Sequence, residues 1–469
     1  VLFWLYLWQL KEYHWGRFLA HFRTEKGKRI FANPVFLFKT LLFLGAIKIN
    51  SVFLISIALL FYFVEFLRFL QKTLKRLTLK PVFTKKIIFL ATINFSFLIF
   101  YFLIFFEKSS YLFWFLFFDL FIPFFVSGIV LFFQPLTVFL RKRCLKKAKK
   151  KRETLEDLLV IGITGSYGKS LTKEILAEIL SERYSVLKTK RNENSEIAIA
   201  RLVLEDLKPE HQVLVAEIGA YNRGKIKEVC SFLKPKIGIL TGINEQHMAT
   251  FGSQEDIIKG KYELIESLPP DGMAFFNAKN EYCRQLYEKT KIKKFLYGQK
   301  AGSFEEENLF GAMAVARELG FSQEELSRAS EKVRKKILFF KIKKGRGGIN
   351  FLDFTYSANP NSVLSHLKYL EEKFSGKKII IMPSLIELGR SAREVHRRIG
   401  REIAQVCDLA IITSKDYFKE IKSEAGEKAI FLQDPEKIFE KIKNFSSSQD
   451  IILLEGRIPK KIKELLLKA

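Results

Sequence analysis

A glycine-rich segment followed by lysine and serine is the part of the sequence best suited to chemistry. It reads GITGSYGKSLTKE over residues 162–174, after the apolar run 158–161 and before a helical pattern of apolar residues. A glycine turn between a strand and a helix leaves backbone N–H groups free to bind phosphate oxygens at the helix N-terminus. Lys169 would reach the β- and γ-phosphates, and Ser170 would hold Mg²⁺. The segment therefore predicts a site for ATP.

The spacing of this segment departs from the strict phosphate-loop motif, because Gly162 stands one place too early. A bare Gly-Lys-Ser is common by chance, so a merely structural turn is the alternative interpretation. The strand before it, the helix after it and the three glycines that precede the lysine favour a nucleotide site. The residues of this loop predicted to contact the nucleotide are Thr164, Gly165, Ser166, Gly168, Lys169 and Ser170.

Alternating apolar strands and helices must position this loop, and the alternation is typical of an α/β fold with a mainly parallel sheet. Strands are predicted at 158–163, 212–218, 236–241, 349–353, 378–382, 408–413, 429–432 and 450–454. We predict a P-loop-type central ATPase domain over 158–340 and a C-terminal Rossmann-like α/β domain over 341–469. The Gly345–Gly348 segment is predicted to be a hinge between them.

The first third of the chain has a different composition. Residues 1–152 hold 25 of the 78 Lys and Arg but only 5 of the 50 Asp and Glu, together with most of the 47 phenylalanines. The aromatic residues occur in uncharged runs, which points to a bilayer and argues against nucleic acid. We therefore predict a transmembrane helical region of three to five spans over 1–140 and a basic cytoplasmic linker over 141–157.

Long apolar runs mark the predicted spans. The strong runs are 51–70, 87–106 and 111–133, and the weaker ones are 1–10 and 34–46. Asp119 lies inside the third strong run and is expected to face a helix partner. These runs are too long and too often repeated for a cleaved signal peptide.

Basic residues predict the orientation of these spans. The segments 71–86 and 141–152 carry six and nine basic residues, whereas the opposite loops 47–50 and 107–110 carry one each. By the positive-inside rule the basic segments are cytoplasmic, so the α/β domains are predicted to lie in the cytoplasm. The chain would then be a multi-pass protein of the cytoplasmic membrane. The four cysteines form no C-x-x-C pair and are compatible with a reducing compartment.

Six blocks of the sequence occur in the order found in one family. They are GITGSYGKSLTKE at 162–174, TKRNENSEI at 189–197, EIGA at 217–220, TGINEQH with FGS at 241–253, YSANPNS at 356–362 and ELGRSAREVHRRIG at 387–400. In these blocks the chain resembles the Mur ligases, most closely the branch that adds D-alanyl-D-alanine. The resemblance covers about residues 158–456.

The resemblance implies a reaction and a set of site residues. In this family a carboxylate attacks the γ-phosphate of ATP to give an acyl phosphate, and an amine then displaces phosphate to form an amide. Lys169, His247 and Lys261 would be catalytic. Two Mg²⁺ sites are implied, one at Ser170 and Glu217 and one at His247 and a Lys261 carbamylated by CO₂.

Further contacts also follow from the resemblance rather than from spacing. Nucleotide contacts would extend to Asn308, Lys341 and Asp353. The residues implied for the substrate are Asn192, Asn194, Tyr356 and Asn359.

Three of these residues would have an ordinary, non-functional interpretation if each were considered alone. Glu217 at a strand end would ordinarily be a solvated carboxylate, and His247 would ordinarily be a loop or core histidine. Lys261 lies on a helical pattern and would ordinarily be a surface lysine, since lysine is rarely buried. Their register with the ATP loop favours a functional role for each.

The chain departs from the family pattern in several places. Predicted spans occupy the place of the domain that holds the UDP group of the substrate, and the family's small β-subdomain is missing after residue 298. Phe304 stands where the family has a histidine, and Lys341 stands for an arginine that contacts the γ-phosphate. Phe354 replaces the second aspartate of a D-D-T-Y motif, which removes a carboxylate.

We therefore predict a membrane-anchored, ATP-dependent amide ligase of peptidoglycan-type cell-wall synthesis. Its acceptor would be a cell-wall peptide precursor, in lipid-linked form if the UDP-binding domain is indeed replaced, and the amine would come from an amino acid or a dipeptide. One alternative is a ligase of another branch, such as a polyglutamate-adding enzyme. A second is a catalytically weakened nucleotide-binding scaffold for a membrane wall-building complex. A transport ATPase is disfavoured, because we find neither paired repeats nor a signature loop.

Overall fold

The computed structural model describes residues 1–11, 13–22, 25–48, 52–74, 78–105, 110–190, 193–336, 342–345, 348–355 and 358–467. The chain divides into two compact units, Val1–Leu140 and Arg141–Ala469. We call them the helical unit and the catalytic unit. The finer division predicted at 157 and 340 stays a prediction.

Apolar helices make up the helical unit. Their bounds are α1 Leu2–Leu10, α2 Trp15–His21, α3 Glu25–Phe31, α4 Pro34–Lys48, α5 Val52–Leu74, α6 Lys85–Phe105, α7 Tyr111–Phe132 and α8 Gln134–Glu153, the last of which continues into the catalytic unit. In the part of the chain that is described, four helical stretches are long and apolar enough to cross a membrane. These are Gly27–Ile47, Val52–Leu74, Lys85–Phe105 and Tyr111–Glu153. Their length and composition agree with the predicted transmembrane region.

Charged side chains inside these apolar helices contact one another. Lys39 Nζ of α4 lies 2.7 Å from Glu65 Oε2 of α5 and 2.8 Å from Asp119 Oδ2 of α7. Tyr62 OH of α5 donates a hydrogen bond to Asp119 Oδ2 at 2.7 Å. Asp119 therefore faces two helix partners, as expected. Pairing of this kind lowers the cost of placing charges among apolar helices.

The first α/β layer of the catalytic unit is a six-stranded sheet of order β2-β3-β1-β4-β5-β6, and its strands are all parallel. The strands are β1 Leu159–Thr164, β2 Val186–Lys188, β3 Val213–Glu217, β4 Ile237–Leu240, β5 Met273–Asn277 and β6 Lys293–Tyr297. The helices are α9 Lys169–Leu180, α10 Glu196–Glu205, α11 Lys225–Leu233, α12 Met248–Phe251, α13 Gln254–Glu266, α14 Glu281–Lys289, α15 Phe304–Glu318 and α16 Gln323–Lys336. Helices cover both faces, so the central strands β1, β3, β4 and β5 are apolar along most of their length.

The second sheet also has six strands, in the order β11-β10-β9-β12-β8-β7. The strands are β7 Lys343–Lys344, β8 Asn350–Phe354, β9 Lys378–Met382, β10 Leu409–Ile412, β11 Ala429–Phe431 and β12 Ile451–Glu455. The helices are α17 Pro360–Lys373, α18 Ala392–Val406, α19 Phe418–Ala425, α20 Pro435–Phe445 and α21 Lys460–Leu467. Only β7 is antiparallel among the described strands of this sheet. The α/β class with mainly parallel sheets is therefore confirmed, while the finer P-loop and Rossmann labels stay predictions.

The segment predicted as a hinge is described at Gly345 and Gly348, whereas residues 346 and 347 lie outside the described residues. Gly345 N–H donates to the carbonyl of Ile349 at 2.9 Å, and Gly348 N–H donates to the carbonyl of Gly345 at 3.1 Å. The two glycines thus close the turn of the β7–β8 hairpin. A Cβ on Gly345 would lie 2.3 Å from the carbonyl oxygen of Leu466. Close packing against α21, rather than freedom to bend, accounts for glycine at this position.

Candidate functional site

The glycine loop joins β1 to α9 and takes its shape from two positions that exclude other residues. Gly165 has a φ of +152° and Gly168 a φ of +78°, values that a residue with a side chain rarely adopts. A Cβ on Gly165 would lie 2.2 Å from Oγ1 of Thr241, and one on Gly168 would lie 2.4 Å from Oδ1 of Asn308. Glycine is required here for conformation and for space, and it leaves the backbone open to a phosphate.

The Lys169 side chain folds back onto this loop. Its Nζ donates to the carbonyl oxygen of Gly165 at 2.8 Å. Burial lowers the pKa of Lys169, and the negative charge of Glu217 opposes that shift. A desolvated amine held only by carbonyl oxygens has much to gain from an anionic partner, because hydrogen bonds to charged groups are stronger than those to neutral ones. Lys169 is therefore placed to exchange its carbonyl partners for phosphate oxygens.

The carboxylate of Glu217 ends β3 beside the first turn of α9 and is only 2% exposed. Ser170 Oγ donates to its Oε2 at 2.8 Å, and Asn194 Nδ2 donates to its Oε1 at 2.9 Å. The structure thus brings together predicted residues from three separate sequence blocks. Asn194 was predicted to bind substrate, but its side-chain amide is used here to hold Glu217. Direct contact of Asn194 with substrate stays a prediction.

Lys173 belongs to this cluster although we did not predict it from the sequence. It is fully buried, and its Nζ lies 3.3 Å from Oε2 of Glu217. An ammonium at this distance offsets the negative charge of a carboxylate that has little contact with water. The signal was present in the sequence, because Lys173 follows Ser170 by three residues on α9 and so shares its face of the helix.

Thr164 and Ser166 hold the loop from within. Thr164 Oγ1 donates to the carbonyl oxygen of Ile218 at 2.8 Å. Ser166 Oγ accepts a hydrogen bond from the backbone N–H of Asn244 at 3.2 Å. Both side chains are buried. Their observed contacts fix the loop against the segments that follow β3 and β4, and their contact with a nucleotide stays a prediction.

Asn308 lies on α15 and is 3% exposed. Its Oδ1 accepts a hydrogen bond from Oγ1 of Thr172 at 2.8 Å, and its Nδ2 donates to the carbonyl of Phe304 at 2.5 Å. The amide therefore links α9 to α15 next to Gly168. This position is close to the glycine loop, as a nucleotide contact requires, but the observed partners are all protein groups.

His247 lies between the two α/β layers. Its Nε2 is 3.6 Å from Oε2 of Glu387, and its ring meets the ring of Tyr221 edge-on with centroids 4.7 Å apart. His247 and Glu387 have φ values of +70° and +66°. Such values are uncommon for residues other than glycine and persist only where the surroundings impose them. Glu387 opens the sequence block at 387–400 and was assigned no role from the sequence. In the structure it lies beside His247.

Lys261 is fully buried on α13, so the interpretation as a surface lysine is wrong. Its Nζ donates to the carbonyl of Ala220 at 3.3 Å and lies 5.7 Å from the ring centroid of Phe251. Burial lowers the pKa of Lys261 far below its usual range, the positive charge of Lys169 lowers it further, and Glu263 opposes the shift. A neutral amine is the form that can react with CO₂. Ala220, which contacts Lys261, directly precedes Tyr221, which contacts His247.

These side chains fit one Mg²⁺ on their chemistry. The Ser170 hydroxyl and the Glu217 carboxylate are oxygen ligands of the kind that Mg²⁺ takes. Within the described ranges, no group of three or more His, Cys, Asp and Glu side chains is arranged to hold a metal ion. A second site at His247 and Lys261 would suit Mg²⁺ only once Lys261 carries a carbamate.

The remaining predicted residues divide into two groups. Asn192, Lys341 and Tyr356 lie outside the described residues. Asp353 accepts hydrogen bonds from Lys343 at 2.8 Å and lies 2.9 Å from Nζ of Lys463. Burial would raise the pKa of Asp353, but the bonds from these lysines outweigh it and hold the pKa below its usual range.

Asn359 caps α17, because its Oδ1 accepts from the backbone N–H of Ser362 at 3.1 Å. The same Oδ1 lies 3.3 Å from Nδ2 of Asn244, which also donates to Oδ1 of Asn361 at 2.7 Å. Asn244 comes from the first α/β layer, so these amides join the two layers. The contact of Asn359 with substrate stays a prediction.

Comparison with protein families identifies both α/β layers. Residues 163–338 match the model described as "Mur ligase middle domain", and residues 340–458 match "Mur ligase, glutamate ligase domain". The UDP-N-acetylmuramoyl-tripeptide–D-alanyl-D-alanine ligase of Synechocystis sp. is 28% identical over 276 residues, which cover 52% of this chain and 59% of that protein. The ligase of the same name from Borreliella burgdorferi is 28% identical over 367 residues, covering 69% and 72%. The chain thus spans little more than half of the Synechocystis relative.

Solved structures show the same fold. MurF from Acinetobacter baumannii superposes with a TM-score of 0.62 at 24% identity, covering 69% of this chain and 79% of that one. MurF ligase from Thermotoga maritima in complex with ADP gives a TM-score of 0.60 at 23% identity, covering 69% and 83%.

Proposed function

Because the chain belongs to the Mur ligase family through its middle and glutamate-ligase domains, we propose that it is an ATP-dependent amide ligase of peptidoglycan-type precursor synthesis. The observation that carries this proposal is the arrangement at the glycine loop. Lys169 lies on the open loop, and Ser170 and Glu217 contact each other beside it. Phosphoryl transfer depends on positioning and on cations near the transferring group, and this arrangement supplies both.

The first step transfers a phosphoryl group. A carboxylate oxygen of the acceptor attacks the γ-phosphorus, the bond from that phosphorus to the β,γ-bridging oxygen breaks, and ADP leaves. Lys169 binds the β- and γ-phosphates as charge develops, because its present partners are only carbonyl oxygens. Mg²⁺ held by Ser170 and Glu217 would neutralise phosphate charge. Asn194 and Lys173 keep the Glu217 carboxylate directed at Ser170.

The second step forms the amide. The amine attacks the acyl carbon of the acyl phosphate, inorganic phosphate leaves, and the nitrogen gives up a proton. Lys261 is fully buried and burial lowers its pKa, which favours reaction with CO₂, and a carbamate there would offset the positive charge of Lys169. His247 and Glu387 join the two α/β layers at this point, so they would align the layer that holds ATP with the layer that receives the amine.

Membrane anchoring is the second part of the proposal. Four described helical stretches could cross a bilayer, and they precede the catalytic unit in the chain. The charge asymmetry of the loops supports a cytoplasmic location for the catalytic unit. We propose a lipid-linked peptide precursor as acceptor and an amino acid or dipeptide such as D-alanyl-D-alanine as the amine. The relatives named above act on a UDP-linked tripeptide by name, so both forms of acceptor need testing.

The test uses the purified full chain in lipid nanodiscs with ATP and Mg²⁺. UDP-linked and lipid-linked peptide precursors are supplied in parallel, with D-alanyl-D-alanine, and product mass and phosphate release are measured. Hydroxylamine added without amine should trap the acyl phosphate as a hydroxamate. A product with the lipid-linked precursor supports the whole proposal. Failure with both precursors and no hydroxamate would contradict the ligase.

A nucleotide-binding scaffold is the second candidate, and one observation favours it. Asp353, implied as a nucleotide contact, is already engaged by Lys343 and Lys463, and its neighbour Phe354 stacks on His366 with ring centroids 3.8 Å apart. The scaffold predicts that ATP binds with no acceptor-dependent phosphate release. Equilibrium binding of ATP together with the turnover assay therefore separates the two candidates.

A further inference from the structure

Helix α8 packs one face against the first α/β layer. Leu145 and Ala148 belong to the apolar core of that layer. Arg152 donates hydrogen bonds to the carbonyl oxygens of Leu158 and Leu233 at 3.0 and 3.1 Å. Arg141 lies two helical turns before Ala148 on the same side of α8. Its Nη1 is 2.6 Å from Oε1 of Glu196. These contacts fix the rotation of α8 about its axis.

The other faces of α8 carry six exposed cations, which we call the α8 basic face. They are Lys142, Arg143, Lys146, Lys147, Lys149 and Lys150. In the described structure the ion pairs of α8 are made by Arg141 and Glu153 and by none of these six. They extend over about 12 Å of helix at a rise of about 1.5 Å per residue. This density of unpaired positive charge attracts an anionic partner.

The chain order within α8 indicates what that partner is. Phe139 and Leu140 are 61% and 53% exposed, and the basic face begins two residues later. The stretch Tyr111–Glu153 is also a single candidate span, in which an apolar segment is followed by the cationic one. Exposed apolar residues followed directly by exposed lysines are the order expected where a helix leaves hydrocarbon and enters a headgroup layer. Cations that lie within about one Debye length, about 8 Å, of lipid phosphates are attracted to them.

We propose that the α8 basic face binds the anionic headgroups of membrane lipids. The proposal rests on the membrane placement given under Proposed function and adds the lipid class that the protein selects. Packing of the opposite face means that lipid binding would hold the catalytic unit at the membrane surface, where a lipid-linked acceptor would be found. Each lysine near an anionic surface contributes a modest attraction, so six together give a strong preference over zwitterionic lipid.

The experiment measures which lipids the full chain retains. The protein is reconstituted in nanodiscs of mixed zwitterionic phosphatidylcholine and anionic phosphatidylglycerol, released, and analysed by native mass spectrometry. The test variant replaces all six residues of the α8 basic face with Gln. A matched control replaces six exposed basic residues elsewhere in the catalytic unit, Lys289, Lys291, Lys300, Arg328, Lys373 and Lys419, with Gln.

The unaltered protein should retain phosphatidylglycerol in excess of its share of the bilayer, and the excess should fall as salt is raised. In the α8 variant the enrichment should fall by at least about fivefold, the factor expected for the loss of even one such lysine at an anionic surface. The control variant should behave as the parent. Equal retention by all three proteins, or equal loss in both variants, would overturn the proposal.

The failure of this proposal can be told apart from failure of the proposed function. Co-elution with the nanodisc tests membrane insertion, and the precursor assay tests ligation, and neither requires anionic lipid. Selective retention of a soluble polyanion, such as polyphosphate, with no preference between the two lipids would also overturn the proposal, because it would assign the α8 basic face to a different partner.

Discussion

Buried charged side chains have different partners at the carboxyl ends of the two sheets in the catalytic unit. We call these the first end and the second end, after the first and second sheets. At the first sheet, Glu217 meets Ser170 and Asn194 through hydrogen bonds and Lys173 through an ion pair. At the second sheet, Oε2 of Glu455 lies 2.6 Å from Nδ1 of His366. Burial raises the pKa of Glu455, and His366 opposes that shift. The first end thus holds a carboxylate next to a fixed ammonium, whereas at the second end burial raises the pKa of the carboxyl group.

The difference shows which end is prepared for a charged ligand. Two lysine side chains, Lys169 and Lys261, are desolvated at the first end, and the pKa of each is lowered chiefly by this burial. Such groups are costly for folding and gain most when an anion arrives. Beside the second end, burial also raises the pKa of Glu305 on α15 of the first layer, while its own backbone and the charge of His366 oppose the shift. Ligand chemistry is therefore expected at the first end and mechanical coupling at the second.

The largest expected effect is that of Lys169→Ala. Acceptor-dependent phosphate release should fall by roughly 10³-fold, the scale on which a cation aimed at a transferring phosphoryl group acts. The thermal midpoint should stay close to that of the parent, because the Lys169 side chain contacts only loop carbonyls. Lys188→Ala, which removes an exposed lysine paired with Glu174, serves as the control. Turnover of Lys169→Ala within about threefold of the parent would remove the nucleotide site from this end of the sheet.

Lys261→Arg should be nearly as damaging, by roughly 10²–10³-fold in amide formation, the range for loss of one charge-stabilising group. A guanidinium stays charged and cannot form a carbamate. Lys261→Ala should lose as much, with partial recovery on adding short carboxylates that occupy the vacated place.

A direct readout of the carbamate does not depend on activity. With ¹³C-labelled bicarbonate the parent should show a carbamate carbon signal that disappears on acidification, and both Lys261 variants should lack it. A fully active Lys261→Arg protein would show that the side chain acts as a cation.

Lys173→Met tests the fixed ammonium of the first end. Breaking a buried ion pair by removing one partner costs about 3–5 kcal/mol of folding free energy. The double variant Lys173→Met/Glu217→Gln should regain most of that stability, since no buried charge is left unpaired. It should nevertheless remain inactive, because Glu217 is the proposed Mg²⁺ ligand. Thermal unfolding and phosphate release measured on the parent and both variants check this, and an active double variant would contradict the role of Glu217.

The sequence predicted the first end better than the second, for physical reasons. Residues that need special backbone conformations or that act on a shared ligand recur as motifs, so Gly168 and Glu217 were identified at once. Lys173 was missed because a lysine on an amphipathic helix is usually exposed, and only the pairing of β1 with β3 brings it to Glu217. The pair of His366 and Glu455 was not anticipated, since 89 residues separate its members.

The strands show the same limit. The strands predicted from the sequence agree with the structure within one or two residues, but β2, β5, β6 and β7 were not predicted, and of these β2, β6 and β7 lie at sheet edges. Edge strands are partly solvated, so their apolar pattern is weak. The hinge at Gly345–Gly348 stays a prediction, because glycine permits both a tight turn and flexibility, and composition does not distinguish them.

The smallest expected effect comes from Glu305→Gln on α15 of the first layer, whose carboxyl group interacts with the charge of His366 at the second end. Glu305 is 6% exposed, and its Oε2 makes no hydrogen bond among the described residues. Burial raises the pKa of its carboxyl group, while its own backbone and the charge of His366 oppose the shift. A raised folded-state pKa means that the folded protein binds more protons than the unfolded chain. Stability is therefore lost as pH rises through the unfolded value of about 4.3 towards the folded one.

Glutamine cannot ionise, so the variant should match the parent in acid and exceed it at neutral pH. The expected gain is about 1 kcal/mol, the cost of one buried polar atom without a partner. That corresponds to a rise of about 2 °C in the thermal midpoint. Glu281→Gln is the matched control, because Glu281 occupies the first turn of α14 as Glu305 does that of α15, yet is exposed. A gain independent of pH, or one shared by the control, would mean that the carboxyl group beside the second end is not desolvated, and the contrast between the two sheets would then fail.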